Sequence, residues 1–241
     1  MKAKQQHSWQ VTTAEAQQIQ LSLARQVSRR NELGEVRFVA GVDVSAERRG
    51  GRAKGAVVVL EYPKLEPVDA SVIEQPITFP YIPGLLSFRE TPLAIAAFER
   101  LHIDPDLVIV DGQGIAHPRR LGIASHIGLL LDVPAIGCAK SRLCGFHKAP
   151  GIEKGSYTDL IDNGEVIGAV LRSKTGVAPL YVSVGHKVDL ETAVEWIFRC
   201  CRDYRLPEPT RLAHLAAAGT PIPSGPKPPT QPKSQQQMRL L

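Results

Sequence analysis

Three acidic residues stand where a carboxylate is either costly or well placed for chemistry: Asp43, Glu90 and Asp111. Asp43 interrupts the apolar run Gly41-Val42-Asp43-Val44. A carboxylate on a covered sheet face is expensive unless a cation, a metal or several donors compensate it, and the competing reading places it at a solvated edge. Asp111 ends Leu107-Val108-Ile109-Val110 and opens Asp111-Gly112-Gln113-Gly114. A carboxylate at the carboxyl end of a covered strand, with glycines that let a ligand approach the backbone, is a favoured functional placement; an Asp-Gly turn is the plainer alternative. Glu90 taken alone reads as structural, because Ser87-Phe88-Arg89-Glu90 has the spacing of a capping box with Ser87 as N-cap. Converging from separate elements, the three carboxylates could hold a hard cation. Magnesium takes oxygen ligands, keeps waters and suits phosphodiester chemistry.

Other residues extend that chemistry. His117 follows Asp111 by six positions, close enough to touch a phosphate, a metal-bound water or a carboxylate; its plain alternative is a hydrogen-bonded structural histidine. Its spacing of nine from His126 does not match a helical zinc pair. Lys140 ends a strand and can neutralise charge developing on a phosphate. Arg119, Arg120, Arg142 and Lys148 can extend a basic track along a nucleic-acid backbone. Pro80-Tyr81-Ile82-Pro83-Gly84 is a stiff loop with an apolar tip, suited either to wedging into a base stack or to plugging the core.

The elements that must position these residues alternate in type. Thr12-Thr13-Ala14-Glu15 caps a helix expected to run to about Leu33. Strands are expected at 36–44, 55–60 and 69–78, forming an antiparallel meander. A helix over 90–101 leads to a covered strand at 106–110. A helix over 118–131, with Pro118 in its first turn, leads to a strand at 134–139. Strands at 166–171 and 180–184 and helices at 190–204 and 210–218 complete the body. The fold class is therefore α/β, and ligands of such sheets sit beyond the carboxyl ends of parallel strands, which points to Asp111 and Lys140.

The 241 residues, 43% apolar and 22% charged, suffice for one well-packed domain. No apolar run is long enough to span a membrane, and the start carries no apolar signal core. Cys138, Cys144, Cys200 and Cys201 lack CxxC spacing, so reduced thiols in a cytoplasm are expected and cysteine-bound zinc is not. Residues 219–241 hold six of the 19 prolines and no acid, and read as a disordered, basic, Pro/Gln-rich tail. Without Lys227, Lys233 and Arg239 the net charge of +5 falls to +2, so the body is only mildly basic.

Together these residues resemble the endonuclease V family, the deoxyinosine-directed nucleases. The resemblance spans about Val11 to Ala218 and rests on four motifs in order. They are Gly41-Val42-Asp43-Val44, then Pro80-Tyr81-Ile82-Pro83-Gly84 through Glu90, then Val110-Asp111-Gly112-Gln113-Gly114-Ile115-Ala116-His117-Pro118-Arg119, then Gly137-Cys138-Ala139-Lys140-Ser141. The resemblance implies an RNase H-like mixed sheet flanked by helices, in a single catalytic domain over residues 1–218. It implies a DNA repair endonuclease that hydrolyses the second phosphodiester bond 3′ to deoxyinosine, leaving 3′-hydroxyl and 5′-phosphate ends. Asp43, Glu90 and Asp111 match the family's magnesium ligands, with Mn2+ as a substitute ion, and His117 and Lys140 match positions near the metal and the scissile phosphate. His214 falls where relatives carry Asp or His, which implies action through water. Tyr81, with Pro80, Ile82 and Pro83, matches the wedge that fills the gap left by an extruded base. Gly84, Leu86, Gly112, Ile123 and Leu143 are the expected lesion pocket, which reads hypoxanthine largely through backbone groups. A monomer acting on deoxyinosine DNA is expected. Rival readings are a nuclease for inosine RNA or for flapped or branched DNA, a binding module without catalysis, and a small-molecule phosphoesterase.

Overall fold

The computed structural model describes residues 1–46 and 51–222, so nearly all of the expected tail lies outside the described residues. One eight-stranded sheet organises the chain, in the order β3-β2-β1-β4-β5-β8-β7-β6. The first three strands, β1 (Phe38–Ala46), β2 (Arg52–Glu61) and β3 (Glu66–Pro76), form the expected antiparallel meander. β1 also pairs in parallel with β4 (Leu107–Val110), and β4 in parallel with β5 (Ala135–Ala139). β6 (Tyr157–Asp162), β7 (Glu165–Leu171) and β8 (Leu180–His186) continue antiparallel from β5.

Strand periodicity divides the core into two layers. Val39, Ala56, Val58, Leu60, Leu107 and Ile109 face one side, with helices α4 (Leu190–Cys200) and α5 (Glu208–Ala217). Ala40, Val42, Val57, Val59, Val108 and Val110 face the other, against α2 (Leu86–Phe98) and α3 (Ile123–Leu131). All four residues of β4 are buried, as a strand covered on both faces requires. α1 (Thr13–Ala24) lies outside α3 and carries the expected capping box between Thr12 and Glu15. The four cysteines are free. Among the described residues no helix is long and apolar enough to cross a membrane.

Several boundaries differ from the sequence expectation. α1 stops at Ala24 rather than near Leu33. Beyond it the chain bonds to the end of β8, with the Ser28 and Glu32 amides donating to His186 Nδ1 and the Lys187 carbonyl, and Val27, Leu33 and Val36 packing on the core. α2 starts a turn earlier than expected, with Leu85 as N-cap and no side-chain cap. Ser87 is thus a buried residue inside the helix, and the Ser87–Glu90 capping box does not form. α3 starts at Ile123 after Gly122; Pro118 lies in the preceding turn, where Arg120 takes φ 58° and is held by Asp162 and Glu165. β6 was not anticipated. Of the expected tail, Ile222 packs against the core.

Candidate active site

The acids collect at the carboxyl end of β4, on the side where β1 and α5 meet. Asp43 has the parity of Val39 and Gly41, so it faces α5. α5 lies so close that a Cβ on Gly41 would sit 1.9 Å from the Pro209 carbonyl oxygen. That approach brings His214 Nδ1 to 2.9 Å from Asp43 Oδ2. Asp111 follows β4 directly, its amide donating to the Val42 carbonyl at 2.9 Å, and its nearly buried carboxylate pairs with Lys140 Nζ. Ligand atoms of Asp43, Asp111 and His214 all lie within 4.8 Å of one another. The two carboxylates of this set are the oxygen ligands that a hard divalent cation takes, while the imidazole is already bonded to one of them.

Glu90, partly buried on α2, stands outside that tight group but feels its charge. Burial pushes its carboxyl up to about 8, and the Asp43 and Asp111 carboxylates push the same way against the Arg89 guanidinium. Burial also raises Asp111 above the usual carboxylate range, opposed by its hydrogen bond to Lys140. A cation placed among these carboxyl groups would relieve their mutual repulsion.

A cavity of about 360 Å³ opens beside the acids and shares Asp111 and Lys140 with them. Its volume lies in the range of small-ligand pockets. All five residues expected for the pocket, Gly84, Leu86, Gly112, Ile123 and Leu143, line it, as do Tyr81, Ile82 and Pro83 of the expected wedge. Pro80 and Pro83 are exposed, and Tyr81 is 71% exposed at the rim. Ile82 instead packs against the Phe79, Leu85 and Phe88 cluster and anchors the loop.

His117 is not free for proton transfer here. Its Nδ1 accepts the Arg119 amide at 3.1 Å, so the proton is on Nε2, which donates to the Gly84 carbonyl at 2.9 Å. Burial lowers this imidazole to about 4, although the bond to Gly84 favours its protonated form. The Gly84 carbonyl also accepts from Gln20 Nε2 at 3.1 Å and an Arg119 amino group at 2.7 Å. Gly84 has φ 77°, and a Cβ there would press on Arg119 at 2.9 Å. The wedge loop is therefore held from behind by three donors on one carbonyl. Two residues of the expected basic track are spent on structure: Arg119 on Gln20 and Gly84, and Arg120 on Asp162 and Glu165. Arg142 and Lys148 remain exposed near the cavity mouth and on the loop that follows.

The sequence reading missed Gln20 and Gln113, both lining the cavity. Gln20 shares the buried stripe of α1 with Ala16 and Leu23, and a glutamine in such a stripe was the available signal.

The endonuclease V family profile matches residues 21–215. The chain belongs to the endonuclease V family. Endonuclease V of Dehalococcoides mccartyi (strain ATCC BAA-2100 / JCM 16839 / KCTC 5957 / BAV1) is 54% identical over 218 residues, which cover 90% of this chain and 98% of the relative. The crystal structure of endonuclease V from Streptomyces avermitilis superposes with a TM-score of 0.84 at 36% identity, covering 90% of this chain and 96% of that one. A single-residue variant of endonuclease V from Ciona intestinalis has been solved with a 23mer DNA containing an inosine followed by a ribo-adenosine. It matches at 30% identity and TM-score 0.73, over 86% of this chain and 97% of that one. The mixed sheet is thus the RNase H-like arrangement of endonuclease V, and the chain is a nuclease by family.

Proposed function

We propose that this endonuclease V relative recognises deoxyinosine in DNA and hydrolyses the second phosphodiester bond 3′ to it, leaving 3′-hydroxyl and 5′-phosphate ends. The observation that carries this reading is the adjacency of a base-sized cavity and an acidic cluster that share Asp111 and Lys140, with Tyr81 exposed at the rim. A relative bound to inosine-containing DNA supports the same substrate class.

Asp43 and Asp111 are the residues that would hold Mg2+, with Glu90 beside them and His214 acting through Asp43 or through water. When bound, the cation supplies an activated water and stabilises negative charge on the phosphate. Lys140, partly exposed on Asp111, adds positive charge where the scissile phosphate would lie. His117 positions the wedge loop through Gly84 rather than exchanging protons. Tyr81 fills the gap left by the extruded base, and extrusion is cheapest where hypoxanthine is poorly paired. Backbone groups around Gly84, Gly112 and Leu143 supply the donor and acceptor pattern that distinguishes hypoxanthine from adenine. A monomer in the cytoplasm, where DNA bases are deaminated and repaired, fits this activity.

The test is nicking of end-labelled duplexes holding one deoxyinosine, beside a matched duplex and an inosine RNA strand, with Mg2+, Mn2+ or EDTA. A metal-dependent cut one nucleotide beyond the lesion, in the deoxyinosine DNA alone, is the expected result. Binding without cutting would make the chain a non-catalytic reader. Preferential cutting of RNA would move it to RNA processing.

A further inference from the structure

Lys140 and Ser141 leave the end of β5 and pass into the cavity wall. The Lys140 side chain pairs with Asp111, but its backbone is held from elsewhere. Arg205 Nη2 donates to the Lys140 carbonyl at 2.8 Å and to the Pro179 carbonyl at 2.8 Å. The last pair of the β5–β8 ladder is Ala139 with Tyr181, and Pro179, two residues before Tyr181, has no amide hydrogen with which to extend it. The guanidinium therefore ties the two strand ends together where the ladder stops. Ser141, the next residue, is held by Gln113 Nε2, which donates to its carbonyl at 2.9 Å. Arg205 is itself anchored between α4 and α5: its carbonyl accepts the Ser173 hydroxyl at 2.6 Å, and Leu206 beside it packs on the core. Its Nε is buried without a partner, a cost that an apolar side chain would avoid. What the guanidinium adds in return is the pair of carbonyl bonds.

We infer that Arg205 is a positioning residue that holds Lys140 where its ammonium meets the scissile phosphate. This rests on the reading above, which sets Lys140 at that phosphate, and deepens it. A lysine carries a point charge on a flexible stem, so the place of its ammonium depends on what fixes the backbone beneath it. Asp111 holds the ammonium end and Arg205 the backbone end. Without the guanidinium, the Lys140 carbonyl loses this donor and the chain is tied only at Ser141. Misplacing by about 1 Å a charge that acts on the transition state costs rate steeply. The cavity wall does not include Arg205, so its influence on the reaction passes through Lys140.

The test is a double-mutant cycle on the full chain: Arg205→Met, Lys140→Met and the two combined, read by single-turnover nicking of a deoxyinosine duplex in Mg2+, with melting curves alongside. Arg205→Met alone should slow nicking about tenfold or more. In the Lys140→Met background it should slow nicking by less than about twofold further, because the ammonium it would misplace is gone. Arg205→Lys, which keeps a charged donor without the planar fork, should retain part of the wild-type rate, and it takes the place of Arg205→Met in the cycle if that variant does not fold. Equal slowing in both backgrounds would make Arg205 a general support of the fold. An unchanged rate for the single variant would mean that Lys140 needs no such tether. Either result overturns the inference and leaves the deoxyinosine reading intact. A Lys140→Met variant as fast as wild type would overturn the inference together with the role given to Lys140. A wild type that leaves the duplex uncut would overturn the deoxyinosine reading itself, and the inference with it.

Discussion

Lys140 pairs with Asp111 and His214 hydrogen-bonds to Asp43, so each of the two carboxylates has a partner within the protein. These partners should let the site assemble before a metal binds. They also separate catalysis from stability. Asp43→Asn and Asp111→Asn should lower nicking by about 10³-fold or more, because they remove the charge that holds and orients the ion. Their melting temperatures should stay within a few degrees of wild type, since each change also relieves repulsion with Glu90. Parallel melting curves and timed nicking assays decide it; collapse of the fold in both variants would make these acids structural. Tyr81 makes the opposite kind of case. At 71% exposure it contributes little to packing, so Tyr81→Ala should leave the melt unchanged. Its binding to deoxyinosine duplex should weaken several-fold more than its binding to undamaged duplex. Equal losses on both duplexes would mean the ring is a general contact rather than a wedge.

At the scale of elements, the site depends on how closely α5 approaches β1. Gly41 is the contact that permits it, with the Pro209 backbone where a side chain would stand. Backbone cannot rotate aside as a side-chain tip can, so Gly41→Ala must push α5 outward and draw His214 from Asp43. The expected cost is about 1–3 kcal/mol of stability, with a fall in nicking larger than that of His214→Ala alone. A crystal structure with α5 unmoved would refute the packing argument. The same dependence on tertiary contact explains what was legible in the sequence. The covered strand 107–110 and the meander were readable because β-branched runs encode burial directly. The acids were readable because they violate that pattern. α1 overran because residues 25–36 have ordinary helical composition, and the bonds to His186 and Lys187 that extend them come from far along the chain. The start of α3 was masked by Arg120, whose αL turn is held by a hairpin about 40 residues away whose first strand was not anticipated. β6 escaped notice as an edge strand with one fully buried residue, Leu160.

Across the whole molecule, two sets of buried groups give stability opposite dependences on pH. His117 and His126 are held neutral, with folded pKa values of about 4 and about 3 against 6.5 when unfolded. Between those limits the unfolded chain binds more protons, so these residues remove stability as pH falls below 6.5. Each takes roughly 1 kcal/mol per pH unit once the unfolded chain is protonated. Glu90 acts in the other sense. Its carboxyl is pushed up to about 8 from 4.5, so the folded protein holds a proton that the unfolded chain has released. Its contribution is whole below 4.5 and is lost as pH rises towards 8, and Asp111, raised by burial, has the same sign. From pH 6.5 to 8 the unfolded histidines shed only the last of their protons, which offsets part of the larger fall that the raised carboxyl of Glu90 imposes. In EDTA the urea midpoint should therefore fall between pH 6.5 and 8, by on the order of 1 kcal/mol in stability. Glu90→Gln should flatten that fall, because the amide cannot ionise. Saturating Mg2+ should flatten it too, because a cation between the carboxylates removes the reason for Glu90 to keep its proton. Below pH 6.5 the wild type should lose stability relative to His126→Gln, whose side chain has no proton to gain. A midpoint in EDTA that stays level from 6.5 to 8 would mean that Glu90 is already ionised, and that Asp43 and Asp111 tolerate its charge without a metal.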